Sequence, residues 1–248
     1  METTSRFKTR IVSGVNEIPA DIWNSCAFEI PDPATSFFPD PFISHEFFQA
    51  LEASGSASIE SGWAPQHIVL EDHQQNTVGI APMYLKSHSY GEYVFDWAWA
   101  DAFERAGGAY YPKLQGAVPF TPVSGRRLLI KEGPQSSDIF KALINASQEL
   151  AKHHNVSSIH FTFPDLKQAQ LLWQNGMLSR SDRQFHWENQ GYQSFEDFLK
   201  VLSSKKRRNI QKERKQVKDN ELVIEHVTGS AIKEYHWDHF FQFYSDTG

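Results

Sequence analysis

The sequence predicts a mixed α/β domain with a partly antiparallel sheet, followed by a shorter basic segment. Three observations carry this. Alternating apolar runs of strand length recur between Phe7 and Phe163. Amphipathic stretches with cap signals lie between them, in the order β, α, α, β, β, β, β, α, β, α, β. The stretch from Lys200 to Lys218 then holds nine Lys or Arg and one acid, Glu213, whereas the rest of the chain is acidic, the formal net charge being −6 over 248 residues.

Phe7–Val15 reads as an opening strand ended by Asn16 and Pro19, and the proline-rich stretch 32–41 reads as a loop. Ser44 can cap a helix with Phe47, Phe48 and Leu51 on one face and Gly55 as its stop. Gln66–Leu70 and Thr77–Lys86 flank the polar Glu71–Asn76 as a hairpin. Tyr93, Phe95, Trp97 and Trp99 alternate with Val94, Asp96 and Ala98, which reads as a strand with an aromatic face and Asp96 opposite it. Gln115–Val123 carries two prolines, so it reads as an interrupted or edge strand.

Ser136, Ser137 and Asp138 offer caps for a helix with Ile139, Phe140, Leu143, Ile144 and Leu150 at helical spacing, and Lys152 and His153 suit its C-terminus. Ile159, Phe161 and Phe163 form a strand, a short helix runs to Asn175 with Gly176 after it, and Gln184–Glu188 reads as a further strand. The boundary falls near Gly191, giving a first domain over 1–190. From Ser194 a helix continues through the basic arm to about Asp219. A strand, Glu221–Val227, and a helix, Ile232–Tyr244, complete the segment 191–248, which reads as the start of an incomplete second domain.

Composition excludes several classes. Apolar residues make up 40% and charged residues 22%, so the chain is not disordered by composition. The single cysteine, Cys26, forms no internal disulfide and no zinc-finger spacing, and no metal site is expected. With no run of 18 apolar residues and no apolar signal region, the reading is a cytoplasmic protein without a membrane span. Neither a G-x-S-x-G elbow nor an H-E-x-x-H pair occurs.

The densest chemistry lies between Leu85 and Leu114, where eight of the 34 aromatics fall between Tyr90 and Tyr111. Glu92, Asp96, Asp101 and Glu104 stand among them. A carboxylate set between rings loses solvation, which raises its pKa toward the range of a general base. The alternative for each is an acid at a strand end in water. His88, beside Lys86, Ser87, Ser89 and Tyr90, suits proton transfer or is an exposed turn histidine. Gly125, Arg126 and Arg127 precede the capped helix by about ten residues, an arrangement that can hold an anion or can be a solvated turn. Lys205, Lys206, Arg207 and Arg208 open a basic helix that can track phosphates or face solvent.

The run from Lys86 to Asp101, then Tyr110–Leu114, Pro119–Pro122, Phe185–Trp187, Leu202–Ile210 and Phe243–Gly248, resembles a bacterial family of FemAB-like N-acyltransferases described under peptidoglycan biosynthesis or recognition. The resemblance spans about Ile11 to Gly248. It implies a GNAT-like mixed sheet flanked by helices, in a tandem architecture whose second copy is truncated here. It further implies an N-acyltransferase moving an acyl or aminoacyl group from a CoA thioester or aminoacyl-tRNA, as co-substrate and not bound cofactor, to an amine. Removing a proton from an alkyl ammonium of pKa ~10.4 requires a base; Asp96, Glu92 and His88 are the candidates, in that order. Tyr90 or Tyr93 would protonate the leaving group. Lys86, Trp97, Trp99, Asp101, Tyr111 and Lys113 would bind substrate. Gly125, Arg126 and Arg127, or Lys205–Arg208, would hold the donor's phosphates. The tRNA would be a partner through the basic helix, with no DNA. The other reading is a non-catalytic module whose aromatic, acidic groove holds a glycan or peptide.

Overall fold

A computed structural model describes residues 6–28, 40–94, 96–183, 185–220 and 222–247. Contacts divide the chain into two compact units, residues 1–181 and 182–248. Most of the expected loop 32–41 lies outside the described residues.

The first unit opens with β1 (Lys8–Val12), a 3-10 turn at Val15–Glu17, and helices α1 (Ala20–Ala27) and α2 (His45–Ala53). Ser44 caps α2 as expected, its hydroxyl accepting from Phe47 N–H. Strands β2 (Trp63–Pro65) and β3 (His67–Glu71) follow, then β4 (Thr77–Ala81) and β5 (Met83–Lys86). The expected hairpin is present, with β3 antiparallel to β4. Its register runs on past Gln66 and Pro82, so that β2 pairs with β5 and Trp63 faces Lys86. Proline has no N–H to donate to a ladder, and the long ladder divides there into two sheets. Their orders are β1-β3-β4-β7 and β2-β5-β6-β8, with β6 at Lys113–Gly116, β7 at Leu129–Ile130 and β8 at Ile159–Phe161. Strand β6 pairs antiparallel with β5 and parallel with β8, so it lies inside its sheet and not at an edge. It stops at Gly116, short of the expected Val123; Phe120, at φ 59°, leaves strand geometry.

Helices α1 and α2 cover one face around Trp23, Phe48, Trp63, Val69 and Tyr84. Helices α4 (Ser136–His153) and α5 (Leu166–Gln174) cover the other around Ile68, Leu70, Leu114, Leu143 and Leu172. Gly79 allows α4 to lie close to the sheet: a Cβ there would stand 2.7 Å from Ile139 Cγ2. A groove of about 500 Å³ runs between β1 and α4, lined by Phe7, Thr9, Ile11, Ala142, Ala146 and others.

The main correction concerns Tyr93–Trp99. Instead of a strand, a loop leads into helix α3 (Trp97–Arg105); Phe95 lies outside the described residues. Tyr93, at φ 55°, cannot continue a strand. Ala98, Ala100 and Ala102 favour helix. The aromatic–alanine alternation mimicked a strand period.

In the second unit the long expected helix is two, α6 (Phe195–Val201) and α7 (Ser204–Asp219), because extended Leu202 and Ser203 interrupt it and Ser203 caps α7. Helix α8 spans Glu234–Thr247. Among the described residues this unit has no strand: 185–188 and 222–227 are irregular, with Phe185, Leu222 and Val223 exposed. Alternation there lacks the neighbouring strand it needs. Gln184 and Glu221 lie outside the described residues.

Glu52 ties together the elements at the junction of the two sheets. Its Oε1 accepts from His67 Nε2 at 2.7 Å and from Tyr84 OH at 3.0 Å, and its Oε2 accepts from Val15 N–H at 2.8 Å. Met83 N–H, just past Pro82, donates to His67 Nδ1 at 3.2 Å. Burial pushes the Glu52 pKa up, but these partners outweigh it and hold the carboxyl below its ordinary value. Glu52→Ala orphans three donors at once; each buried orphan costs about 1–3 kcal/mol, less when they share waters. Urea unfolding is therefore expected to show a loss of about 3 kcal/mol, read as a lower midpoint with unchanged slope.

Candidate functional site

The two central strands of the second sheet place two lysines face to face: Lys86 of β5 is the register partner of Lys113 of β6, and both are fully buried. Like charges so placed repel, and burial removes their hydration. The loop 87–96 supplies the compensation. Lys113 Nζ donates to Asp96 Oδ2 at 2.6 Å, to Glu92 Oε2 at 2.8 Å and to Ser89 Oγ at 2.9 Å. Tyr110 OH donates to Asp96 Oδ2 at 2.9 Å. Tyr111 OH shares a 2.7 Å hydrogen bond with Ser89 Oγ. Lys86 has much less: one bond to Tyr90 O at 3.1 Å and the face of Trp63, whose ring centre is 3.6 Å from Nζ. Gly91, at φ 79°, lets the loop turn against Phe120, whose ring would meet a Cβ at 2.5 Å.

These surroundings set the protonation chemistry. Burial pushes Lys86 down to about 7, and Lys113 adds to the fall while Glu92 opposes it. Burial also raises Glu92, against the pull of Lys113. Asp96 behaves otherwise. Burial raises it, but hydrogen bonds from Lys113, Ser89 and Tyr110 outweigh that and hold it below the ordinary value. The raised pKa expected at Asp96 is thus found at Glu92. Burial and Asp96 raise the Tyr110 phenol. Burial, then Lys113, pushes His160 down to about 4. His88 lies at the loop's outer side, lowered by burial and by Lys86; its Nδ1 accepts from Tyr90 N–H at 3.2 Å.

Glu92 and Asp96 turn inward, whereas Tyr90 and Tyr93 of the loop and the first rings of α3 stay outside. Tyr90, Tyr93, Trp97 and Trp99 are 54–65% exposed, and Tyr90 meets Trp97 edge to face at 5.7 Å. Asp101 is also exposed and pairs with Arg105 at 2.8 Å. Helix α3 therefore carries Trp97, Trp99 and Asp101 at the surface, apart from the buried ion cluster.

The expected phosphate site at Gly125–Arg127 is not one. Arg126 donates to Ala27 O and Ile130 O, and the buried Arg127 donates to Thr162 O, Arg126 O and Val123 O. Gln168 Oε1 takes the Arg127 backbone N–H, and Gly125 N–H donates to Phe163 O. Those donors are consumed inside the protein; burial pushes Arg127 down to about 10. Lys205, Lys206 and Arg208 of α7, by contrast, are exposed, Arg207 is half-buried, and α7 has no buried residue. Among the described residues no His, Cys, Asp and Glu group could hold a metal ion, and no helix is long and apolar enough to cross a membrane.

Sequence reasoning missed Trp63, Ser89 and Tyr110 as members of the cluster. Trp63 was within reach, because continuing the hairpin register through Pro82 sets it opposite Lys86. The contact of Tyr110 with Asp96 is tertiary and left no local sign.

The fold is a three-layer α/β unit with a buried lysine–carboxylate cluster under an aromatic loop, followed by a helical unit that carries the basic helix α7. Residues 14–248 match the FemAB-like family, described as peptidoglycan biosynthesis/recognition, and the chain belongs to that family. No curated protein matches it. Similar solved structures include the ribosomal-protein-alanine N-acetyltransferase of Brucella melitensis biovar Abortus 2308, at 13% identity and TM-score 0.41, over 74% of this chain and 99% of that one. Another is the aminoglycoside antibiotic 6'-N-acetyltransferase of Acinetobacter baumannii, at 8% identity and TM-score 0.40, over 75% and 99%.

Two outcomes test these assignments. Unfolded, Lys86 keeps its proton up to its ordinary 10.5; folded, it gives it up near 7. Between those values the unfolded state binds more protons, so this residue's penalty is complete below pH 7 and is relieved as the pH rises toward 10. The stability of wild type relative to Lys86→Met is therefore expected to rise from pH 7 to 10 in denaturant titrations. Arg127→Ala takes its donor from one buried and two partly buried carbonyls, and is expected to lower stability by about 2–4 kcal/mol without weakening the binding of any phosphate-bearing ligand.

Proposed function

We propose that the chain is an N-acyltransferase that moves an acyl or aminoacyl group, from a CoA thioester or an aminoacyl-tRNA, to an amine acceptor in peptidoglycan-related metabolism. Membership of the FemAB-like family supports the class. The observation that carries the chemistry is Glu92, a buried carboxylate whose pKa burial raises and whose Oε1 has no partner among the described residues. Such a group can take a proton from an attacking ammonium. Glu92 replaces Asp96 as the first candidate for the base, since Asp96 is tied to Lys113 and Tyr110 and held acidic. Asp96 and Lys113 then position Glu92, and the lowering of Lys86 to about 7 reduces the second positive charge that the cluster must carry. Tyr90 stays the candidate to protonate the leaving group, its backbone carbonyl held by Lys86. Lys205–Arg208 are the cations free to meet phosphates of a donor.

A second reading keeps a specific observation of its own. The exposed Tyr90, Tyr93, Trp97 and Trp99 offer ring faces on which a sugar can stack, which suits a glycan-binding module without catalysis.

Measured acyl transfer to amines separates the two. Glu92→Gln is expected to lower kcat by about 10²-fold or more with KM little changed, the usual scale for a general base. Asp96→Asn should act mainly on stability. Unchanged turnover in Glu92→Gln would remove Glu92 as base. Glycan binding lost in Trp97→Ala, with no transfer by wild type, would favour the second reading.

A further inference from the structure

Buried polar atoms in folded proteins nearly always find partners, and donors without one are rarer than acceptors. Among the described residues five buried side-chain atoms have none, and four of them lie about one patch of the second sheet and its loop: Trp63 Nε1, Glu92 Oε1, Asp96 Oδ1 and Gln115 Oε1. Trp63, Lys86 and Lys113 form a single cross-strand row. At about 5 Å between strands, the row is about 10 Å long. Gln115 follows Lys113 by two residues on β6 and so shares its face. Its amide nitrogen is held by Thr162 Oγ1 at 3.1 Å, which leaves the carbonyl oxygen as the open end.

The unfilled positions have an order. At the Trp63 end are donors: the indole N–H, and Lys86, whose single hydrogen bond to Tyr90 O leaves N–H groups over and which makes no ion pair within 4 Å among the described residues. At the Lys113 end are acceptors: one oxygen each of Glu92 and Asp96, the other oxygen of both being spent on Lys113, and the oxygen of Gln115. One cation cannot fill both ends, and neither can one anion. A group with three N–H donors on one atom and a carboxylate two bonds away can fill both.

We propose that this patch is a binding site for the zwitterionic head of an α-amino acid, with the ammonium on Glu92, Asp96 and Gln115 and the carboxylate on Lys86 and the Trp63 indole. That the bound amine is also the acceptor of acyl transfer rests on the function proposed above, whereas the binding itself does not. Glu92 Oε1 touches the ammonium and is placed to take its proton. Ser89, Tyr90, Glu92 and Asp96 are fastened to the sheet by polar contacts. A charged ligand competes for such contacts directly.

The test is calorimetric titration of the full chain, without any acyl donor, with glycine, L-alanine and L-lysine, and separately with methylammonium and acetate. Saturable binding of an amino acid, at least tenfold tighter than either half-ligand, is expected. Glu92→Gln and Lys86→Met should each weaken it tenfold or more, with circular dichroism reporting whether either variant folds. The wild-type panel stands alone if they do not. No binding by any of the amino acids overturns the proposal and leaves water as the occupant. Equal binding of methylammonium or of acetate overturns it in favour of a simple ion site. Amino-acid binding without acyl transfer would sink the acyltransferase reading and leave the site standing. Acyl transfer to other amines, with no amino-acid binding, would do the reverse.

Discussion

The ion pairs of Lys113 with Glu92 and Asp96 organise the first unit. An ammonium taken out of water costs several kcal/mol unless oxygen atoms replace its hydration shell. The sheet that buries Lys113 provides no carboxylate of its own at that place. The ten residues after β5 must therefore fold back over the sheet, bringing Ser89, Glu92 and Asp96 to one nitrogen. Much else follows from this. Asp96 is drawn inward and so makes no side-chain cap at the start of α3. Tyr110 is held by the same carboxylate. With Glu92 and Asp96 turned in, Tyr90 and Tyr93 are left in water, which inverts the usual arrangement of a surface loop.

The sheet beneath obeys a second constraint. Its two longest strands keep one register through Gln66 and Pro82, yet the ladder divides there. Apolar packing proceeds on both faces of both sheets, and the polar row Trp63–Lys86–Lys113 begins only after the break. The break thus separates strands that serve the core from strands that also present chemistry.

How much of this was legible varies by cause. Helix α2 follows from its Ser44 cap and apolar spacing, and α4, α5 and the β3–β4 hairpin follow from spacing alone; α4 starts at Ser136 after Gln135 and lacks the side-chain cap expected from Ser136–Asp138. Helix α3 was not legible: aromatic residues every second position gave a strand period, while the alanines between them favoured helix and Tyr93 broke the run. The expected strands around Trp187 and Ile224 have the right alternation and no neighbour among the described residues. At the site, the residue types were readable but their rank was not. Glu92 and Asp96 look alike in sequence, and the difference between them is Tyr110 and the way Lys113 divides its donors. Arg126 and Arg127 make the same point with opposite sign: a basic pair beside a glycine suggested an anion, and backbone carbonyls had already claimed it.

Family membership and local chemistry bear on separate questions. Membership accounts for nearly the whole length of the chain. The buried cluster lies wholly in the first unit, and the exposed cations of α7 lie in the second.

The His67 ring has a consequence for the junction of the two sheets. Because Met83 N–H points at Nδ1, that nitrogen offers a lone pair and the ring proton resides on Nε2, facing Glu52. One imidazole thus spans the break in the ladder, accepting from β5 through Nδ1 and donating to α2 through Nε2. The strand that restarts after Pro82 and the seat of helix α2 are therefore set by the same ring, and neither can shift without the other.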